Sequence, residues 1–299
     1  MQKPAAFRGP EWTILKVLKW TTSYFKSHDI ESPRSAAEIL LAHVLKLKRI
    51  ELYVHYDQPL TRGELEQFKA FIKRRIQREP VAYILGTRGF WTIDVRVSKD
   101  VLIPRPETEC LVEEALSRLT QDRSSVVKRV LELGTGSGAI ILALALQRPQ
   151  NIFFASDNSM NAVQIAAENV RDHGLQGRIH FFCGDWLDPT RPDAEPFSMI
   201  LSNPPYIRKD EISRLQPEIY QYEPLTALDG GPDGLDCLKR IITTAHNILT
   251  PGGNLLLEIG YDQRPAVQEI IDSTSRYENV QFLKDYSGHN RVVGMRKRN

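Results

Sequence analysis

The residues Val130-Leu-Glu-Leu-Gly-Thr-Gly-Ser-Gly138 join a short apolar run to three glycines that alternate with small polar residues. The apolar run predicts a buried parallel strand, and Ala139–Gln147 directly after the glycines predicts a helix. Glycines between a strand and a helix permit positive φ and let backbone N–H groups approach a ligand closely. This stretch therefore predicts a strand, turn and helix of a doubly wound α/β domain.

Strands and helices alternate on both sides of this turn. Further strands are predicted at Ile152–Ser156, Ile179–Phe182, Met199–Ser202 and Asn254–Ile259, and further helices at Asn161–His173, Leu235–Leu249 and Arg264–Ser273. This order indicates a mostly parallel sheet. Val280–Lys284 and Arg291–Met295 predict an antiparallel C-terminal hairpin, which brings the sheet to seven strands and separates it from a plain dinucleotide-binding fold.

The N-terminal part of the chain has a helical periodicity instead. Between Trp12 and Arg78 apolar residues recur three or four positions apart, and Thr61-Arg-Gly-Glu64 predicts a helix start with a capping box. The turn signal Gly86-Thr-Arg-Gly89, followed by alternation in Phe90–Val97, predicts a β-hairpin. We therefore expect a small helical bundle over residues 1–84, a hairpin linker over 85–103 and the α/β domain over 104–299.

Composition is that of a globular protein, with 41% apolar and 25% charged residues among 299. The longest apolar stretch, Ala139–Leu146, is far too short to span a bilayer, and Met1–Pro10 lacks the apolar core of a signal peptide. Cys110, Cys183 and Cys237 are scattered without metal-ligand spacing. We therefore expect no disulfide framework, no bound metal and a cytoplasmic location.

Charge is distributed unevenly along the chain. Residues 1–84 carry 15 Lys/Arg and 9 Asp/Glu, whereas the remainder carries 24 and 28. The basic excess peaks at Lys73-Arg-Arg-Ile-Gln-Arg78. We favour a solvated helix end whose cations suit the helix dipole. The alternative is a surface that meets an acidic or nucleic-acid-bearing partner.

The glycine turn predicts a nucleotide-like cofactor. Its candidate contacts are Gly134, Thr135, Gly136, Ser137 and Gly138. Asp157 ends the next strand and can accept hydrogen bonds from both ribose hydroxyls. Asp185 can accept from an adenine amino group, and Trp186 can pack either on the base or in the core. The turn also fits Gly-x-Gly-x-x-Ala with Ala139, so it does not alone separate S-adenosylmethionine from NAD.

Asn203-Pro204-Pro205-Tyr206 follows the apolar run Phe197–Ser202, which predicts another buried strand. Ligands of open parallel sheets bind beyond the carboxyl ends of the strands. The prolines have fixed φ and no N–H, so they are expected to stiffen this loop. The side-chain oxygen of Asn203 and the carbonyl of Pro204 then become two rigid acceptors for a flat –NH2 group, with Tyr206 against it. A purely structural Pro-Pro turn is the alternative.

A loop of this kind suits methyl transfer to an amide or amine nitrogen. An amide nitrogen is a poor nucleophile because its lone pair is delocalised. In-line positioning supplies roughly 7–11 kcal/mol of a barrier in the best cases. Carbonyl dipoles also stabilise positive charge that grows on the nitrogen. No strong general base is evident, and none is required, since an alkylated amide cation loses its proton readily.

Several segments together resemble the HemK/PrmC methyltransferases, from about Glu79 to the C-terminus. They are Leu133–Gly138, Ser202-Asn-Pro-Pro-Tyr-Ile207, Leu102-Ile-Pro-Arg-Pro-Glu-Thr-Glu109 and Tyr222-Glu-Pro-Leu-Thr-Ala-Leu228. The resemblance implies a seven-stranded methyltransferase sheet and an enzyme that uses S-adenosylmethionine. It implies that the substrate is the glutamine of the Gly-Gly-Gln motif in peptide chain release factors. The N-terminal bundle would then recognise the release factor.

The resemblance also implies roles for particular residues. S-adenosylmethionine would lie at Gly134–Gly138, Asp157 and Trp186. The glutamine would be held by Asn203, Pro204 and Tyr206, with Asn203 also beside the cofactor. Pro104–Glu107 and Glu223-Pro224 would border the active site, although a plain linker and a turn are equally compatible with those two segments.

Other functions stay open. Methyltransferases for a ribosomal-protein glutamine share both loops, and those for adenine in nucleic acid share the Asn-Pro-Pro-Tyr type of loop. The net negative charge of residues 85–299 argues against a nucleic-acid track. An NAD-dependent oxidoreductase would need a hydride-handling His or Tyr-Lys pair, and no strand end supplies one convincingly. A catalytically inert binding module is disfavoured by the intact loops. We expect a monomer with no membrane contact and no sequence-specific nucleic-acid binding.

Overall fold

The computed structural model describes residues 12–121, 127–188 and 195–299. The expectation about Met1–Pro10 lies outside these ranges. The chain divides into two compact units, one up to Gly86 and one from Thr87 to Asn299. Across the described ranges, no helix has both the length and the apolar character that a membrane crossing requires.

The first unit is a bundle of helices. These are α1 (Ile14–Lys26), α2 (Pro33–Leu45), α3 (Glu51–Val54), α4 (Arg62–Ile76) and α5 (Val81–Leu85). Their apolar faces meet in one core around Phe25, Leu40 and Leu41, which are fully buried. The predicted capping box begins α4, since Thr61 Oγ1 accepts from Glu64 N and the Glu64 carboxylate accepts from Thr61 N.

The basic run Lys73–Arg78 lies at the end of α4, and its arginines form contacts within the bundle. Arg74 donates two hydrogen bonds to the Glu79 carboxylate. Arg75 is buried, and Arg78 donates to a carbonyl oxygen in the turn between α1 and α2. The run is therefore a helix end held by contacts within the bundle and is less solvated than the sequence predicted, since Lys73 is its one exposed cation.

A two-stranded hairpin opens the second unit, with β1 at Thr87–Phe90 and β2 at Ile93–Arg96. The predicted turn at Gly86–Gly89 is wrong, because Gly89 lies inside β1. The chain instead reverses at Trp91, whose φ is +55°. Its amide donates to Glu109 Oε1 at 2.8 Å, so a residue outside the hairpin holds the turn.

A seven-stranded sheet forms the centre of the second unit. Its strands are β3 (Arg129–Leu133), β4 (Ile152–Asp157), β5 (Ile179–Cys183), β6 (Phe197–Ser202), β7 (Leu249–Glu258), β8 (Tyr277–Lys284) and β9 (Asn290–Lys297). Their spatial order is β5-β4-β3-β6-β7-β9-β8. The first five in that order are parallel, and β9 is antiparallel to both neighbours. This confirms the predicted mostly parallel sheet with an antiparallel C-terminal hairpin.

Helices pack around the sheet in two groups. The first contains α6 (Glu109–Gln121), α7 (Ala139–Gln147) and α8 (Met160–Asp172); the second contains α10 (Asp236–Thr244) and α11 (Arg264–Thr274); and a short α9 (Pro217–Tyr220) follows β6. The second group buries Leu238, Ile241 and Val267 against alternate sheet residues such as Leu131 and Leu255. Helix packing on alternating strand residues is what a doubly wound sheet requires.

The direction of winding reverses between β3 and β6, which are neighbours although β4 and β5 separate them in the chain. Leu133 at the end of β3 is paired with Ser202 at the end of β6. The Ser202 hydroxyl also donates to the Leu133 carbonyl at 2.7 Å. Ligands of such sheets bind at this kind of switch point.

Candidate active site

A cavity of about 240 Å³ lies at the carboxyl edge of the parallel strands. Its lining includes Gly134, Thr135, Gly136, Ser137, Asp157, Asp185, Trp186, Asn203 and Pro205. The structure thus brings the glycine turn and the Asn-Pro-Pro-Tyr loop to one space. Of the predicted site residues, Gly138, Pro204 and Tyr206 are not part of this lining.

The three glycines of the turn have positive φ, at +69° for Gly134, +53° for Gly136 and +77° for Gly138. A Cβ on Gly138 would lie 3.0 Å from the Cβ of Ala166 in α8, so this glycine permits close helix packing. A Cβ on Gly136 would meet no atom within 4 Å. Gly136 therefore leaves open space where a ligand can approach the backbone.

Asp157 is held by backbone amides on both sides. Its Oδ2 accepts from Gly136 N at 2.8 Å, and its Oδ1 accepts from Ser159 N at 3.0 Å. Burial raises the pKa of this carboxyl, while the amide hydrogen bonds oppose that rise. Each carboxylate oxygen has a further lone pair, so the group can also accept from a pair of hydroxyls in the cavity.

Glu132 is a cavity residue that the sequence analysis missed. It is 1% exposed, and its Oε2 accepts from Thr135 Oγ1 at 2.7 Å and from Ile141 N at 3.1 Å. Burial raises the pKa of Glu132 to about 8. The available signal was a carboxylate between Leu131 and Leu133 of a buried strand, since such groups are almost never buried without a partner.

Asp185 and Trp186 line the cavity after β5. Asp185 Oδ2 forms an ion pair with Arg240 Nη1 in α10 at 2.6 Å, which leaves its other oxygen available. Trp186 has a φ of +50°, and its ring lies 3.7 Å from where a Cβ on Gly134 would stand. The ring also packs against the sheet core. Trp186 therefore both lines the cavity and packs against the core, so neither position excludes the other.

The acceptor atoms of the Asn-Pro-Pro-Tyr loop are available. Asn203 Nδ2 donates to Thr108 Oγ1 at 3.2 Å, so the amide nitrogen is used and Oδ1 is not. Within the described ranges, neither Asn203 Oδ1 nor the Pro204 carbonyl oxygen accepts a hydrogen bond. The loop therefore offers two acceptors on a backbone that its prolines stiffen.

The hydroxyl of Tyr206 forms hydrogen bonds that hold the loop in place. It donates to Glu258 Oε1 at 3.1 Å, and Arg291 Nη1 donates to the Tyr206 oxygen at 3.5 Å. Glu258 ends β7 and is 1% exposed, and burial raises its pKa to about 7. Arg291 is paired in turn with Asp285. Tyr206 thus ties the loop to a buried polar cluster that the sequence analysis did not anticipate.

Two glycines support the loop from behind. A Cβ on Gly230 would lie 2.8 Å from the Tyr206 Cα, and one on Gly234 would lie 2.5 Å from the Tyr206 carbonyl oxygen. Gln263 Nε2 donates to that same oxygen at 3.0 Å. The loop is therefore held by close backbone contact as well as by its prolines.

The two segments that the resemblance placed at the border of the active site form one wall. Arg105 Nη2 is paired with Glu223 Oε1 at 2.6 Å, and Ile103 N donates to Glu223 Oε2 at 3.2 Å. Burial raises the pKa of Glu223, and the Arg105 charge opposes this rise. Pro104 and Pro224, beside the paired residues, both line the cavity.

Solved structures show what the fold is similar to, and a domain model together with sequence relatives defines the class of protein. Among solved structures the chain is similar to a methyltransferase from Pyrococcus furiosus, with a TM-score of 0.51, 17% identity, and 77% and 98% of the two chains covered. It is also similar to the hMettl16 catalytic domain in complex with the MAT2A 3′UTR hairpin 6, with a TM-score of 0.54, 15% identity, and 68% and 74% covered. The methyltransferase small domain model matches residues 110–219. The protein is an S-adenosylmethionine-dependent methyltransferase.

Sequence relatives identify the family. The PrmC N-terminal domain model matches residues 16–86. Proteins named release factor glutamine methyltransferase are 41% identical over 285 residues in Geobacter sulfurreducens, covering 95% of this chain and 97% of the relative. A relative of the same name in Rhodopirellula baltica is 38% identical over 289 residues, covering 96% of this chain and 97% of the relative. One in Xylella fastidiosa (strain Temecula1) is 45% identical over 260 residues, covering 87% of this chain and 92% of the relative. The chain belongs to the release factor glutamine methyltransferase family, which confirms the resemblance.

Proposed function

We propose that this protein methylates the side-chain amide nitrogen of the glutamine in the Gly-Gly-Gln motif of peptide chain release factors. The shared cavity carries the proposal, since it joins a glycine turn suited to the cofactor and a loop with two available acceptors. Their strands, β3 and β6, are adjacent and tied at their ends by the Ser202 hydroxyl. The names of the relatives support the choice of substrate.

The residues around the glycine turn fit the cofactor, and we propose how they hold it. The open space at Gly136 admits a ligand to the backbone, and Asp157 is placed to accept from ribose hydroxyls. Trp186 would pack on the adenine, with Asp185 accepting from its amino group. When bound, S-adenosylmethionine supplies the electrophilic methyl carbon, and its sulfur keeps the electron pair of the carbon–sulfur bond that breaks.

Asn203 and Pro204 would position the acceptor. Asn203 Oδ1 and the Pro204 carbonyl oxygen accept the two N–H bonds of the glutamine carboxamide, which fixes the plane of that group. As the new nitrogen–carbon bond forms, positive charge grows on the nitrogen and the two carbonyl dipoles stabilise it. The methylated nitrogen then loses one proton to solvent. The Arg105–Glu223 wall limits how the substrate enters.

The helical bundle over residues 1–84 would recognise the protein substrate, with residues 85–103 as a linker. The bundle exposes apolar side chains on and beside α3, where Ile50 is 67%, Tyr53 53% and Val54 66% exposed. Exposed apolar groups of this kind suit contact with another protein. We further propose that the enzyme is a cytoplasmic monomer without sequence-specific nucleic-acid binding, a view that the net negative charge of residues 85–299 supports.

A methyl-transfer assay tests the proposal. The protein is incubated with methyl-labelled S-adenosylmethionine and, in parallel, a release factor, ribosomal protein and adenine-containing DNA or RNA. Mass mapping is expected to place one methyl group on the Gly-Gly-Gln glutamine. Methylation confined to ribosomal protein or adenine would refute the substrate assignment.

A further inference from the structure

Arg291 connects three parts of the second unit. It lies at the start of β9, and its side chain is 13% exposed. Its Nη1 donates to the Tyr206 hydroxyl oxygen at 3.5 Å and to the Ile259 carbonyl oxygen at 3.4 Å. Its Nε and Nη2 both donate to Asp285 Oδ2 at 3.3 Å. One guanidinium therefore joins the Asn-Pro-Pro-Tyr loop, the residue after β7 and the turn between β8 and β9.

Asp285 holds this guanidinium from a turn that its own carboxylate closes. Asp285 Oδ1 accepts from Ser287 N and from His289 N, both at 3.0 Å. Asp285 N also donates to the His289 carbonyl oxygen at 2.8 Å. One carboxylate oxygen thus serves the turn and the other serves Arg291. The turn therefore fixes where the guanidinium lies.

The Tyr206 hydroxyl is held from two strands at once. A guanidinium can only donate, so the Tyr206 oxygen accepts from Arg291 in β9. The single hydroxyl proton is donated to Glu258 Oε1 in β7, at 3.1 Å. Burial raises the pKa of Tyr206, so the hydroxyl keeps this proton. The ring therefore cannot shift without lengthening one of the two hydrogen bonds.

The position of the Tyr206 ring bears on the carbonyl of Pro204. Only Pro205 separates the two residues, and its own ring fixes φ. The Pro204 carbonyl oxygen accepts no hydrogen bond from the described residues. A displacement of Tyr206 would therefore pass through a short stiff backbone to an oxygen that no other contact holds.

We propose that Arg291, held by Asp285, is a positioning residue that sets the Pro204 carbonyl oxygen through the Tyr206 hydroxyl. The inference rests on the proposed function, because that function makes this carbonyl an acceptor for the substrate amide. Neither Arg291 nor Asp285 lines the cavity, so both act through the loop. A group misplaced by about 1 Å can cost about 100-fold in rate, so we expect losses of about 10- to 100-fold in kcat.

A double-mutant cycle separates positioning from general stabilisation. Arg291→Lys keeps the charge beside Asp285 but removes the planar fork that reaches several acceptors together. Tyr206→Phe keeps the ring and removes the hydroxyl. If Arg291 acts through that hydroxyl, each single variant loses about 10- to 100-fold in kcat, and the double variant stays within about threefold of the slower single variant. Independent structural effects predict instead that the two losses multiply.

Asp285→Asn tests the other end of the contact and gives the same cycle if Arg291→Lys does not fold. Its side-chain oxygen can still accept from the turn amides, but no charge holds the guanidinium. We expect kcat to fall, and to fall little further when Tyr206→Phe is added. Arg296→Lys is the matched control and should keep its kcat, because Arg296 is exposed on the same strand and donates to the Gly252 carbonyl oxygen at 3.1 Å.

Calorimetry supplies the second readout, since a positioning role lowers kcat and leaves the Kd of S-adenosylmethionine within about twofold. Full activity of Arg291→Lys, losses that multiply in the cycle, or a Kd that rises in step with the loss of kcat would overturn the inference. In each case methylation of a release factor by the wild type leaves the proposed function standing. A wild-type protein that binds S-adenosylmethionine but methylates no release factor would instead remove that function and the inference with it.

Discussion

Asn203 presents a neutral amide oxygen to the cavity, and the Pro204 carbonyl, next in the chain, is a second neutral oxygen that accepts no hydrogen bond from the described residues. Such groups act by position and dipole, so their loss should appear in kcat rather than in cofactor binding. Pro204 and Pro205 stiffen the loop, and Gly230 and Gly234 contact its backbone from behind.

Asn203→Ala removes one acceptor and leaves the glycine turn untouched. We expect kcat to fall by about 100- to 1,000-fold, as for other preorganised polar groups. The Kd of S-adenosylmethionine, measured by calorimetry, should stay within about twofold. A fully active Asn203→Ala enzyme is incompatible with the proposed acceptor role.

Gly234→Ala tests the support behind the loop. Gly234 has a φ of +76°, and a Cβ there would lie 2.5 Å from the Tyr206 carbonyl oxygen. The control is Gly174→Ala, whose φ is +70° but whose Cβ would meet no atom within 4 Å. Both variants should lose about 1–2 kcal/mol of stability from the left-handed backbone. Gly234→Ala should lose more, because its Cβ forces the Tyr206 carbonyl to shift, and it alone should lower kcat. Equal kcat values in the two variants would show that the contact with Tyr206 is irrelevant to catalysis.

The positions of the two motifs at the ends of β3 and β6 were predictable, because each motif is continuous in sequence and follows an apolar strand. Thr108, Glu258 and Gly234 were not, because their importance comes from partners far along the chain. Thr108 meets Asn203 across 95 positions, and Tyr206 meets Glu258 across 52. Such pairs become visible only when the order of strands is known.

At the scale of elements, the turn between β3 and α7 is the proposed cofactor site. Calorimetry should detect binding of S-adenosylmethionine and no binding of NADH. Asp157→Asn should weaken S-adenosylmethionine binding about tenfold or more, since hydrogen bonds to a charged group contribute about 1.5–3 kcal/mol. Tighter binding of NADH than of S-adenosylmethionine would contradict the cofactor assignment.

The N-terminal bundle is expected to depend on a buried ion cluster at Glu38. Burial alone would raise its pKa, but hydrogen bonds from Arg34, Tyr53 and Arg49 lower the pKa of Glu38 to about 2. Glu38→Gln removes the charge that these groups bind and should lower the free energy of unfolding by about 2 kcal/mol at pH 7. The loss is no larger because the two arginines are half-exposed and keep their hydration. The control is Glu66→Gln, which breaks an exposed pair and should change little.

The pH dependence has a definite sign. A carboxyl whose pKa is lowered on folding stabilises the protein fully above its unfolded value of 4.5, and this contribution disappears as pH falls toward about 2. The difference in unfolding free energy between wild type and Glu38→Gln should therefore shrink over that range. A difference that stays constant between pH 7 and pH 3 would contradict the role of the charge.

The elements themselves were largely predictable, with errors where tertiary pairing overrides local signals. The sequence predicted a helix up to Leu249 and a strand from Asn254, with Pro251-Gly-Gly253 between them. In the structure these residues lie within β7, which begins at Leu249 because that residue pairs with Phe197 of β6 across an irregular register. Pro251-Gly-Gly253 therefore mark an irregularity within β7 and not the start of that strand.

At the scale of the whole molecule, the chain consists of two units with different proposed tasks. Removal of residues 1–86 should raise KM for a release factor at least tenfold, which corresponds to about 1.4 kcal/mol of lost binding. The S-adenosylmethionine Kd and the kinetics of a short Gly-Gly-Gln peptide should change little. Unchanged release-factor kinetics in the truncated protein would refute a recognition role for the bundle.

The most direct test is a crystal structure of the protein with S-adenosylhomocysteine and a Gly-Gly-Gln peptide. We predict that the glutamine –NH2 group lies within hydrogen-bond distance of Asn203 Oδ1 and the Pro204 carbonyl oxygen, with its nitrogen facing the sulfur atom beside Gly136. A glutamine bound away from Asn203, or a sulfur atom too distant for direct transfer, would contradict the account.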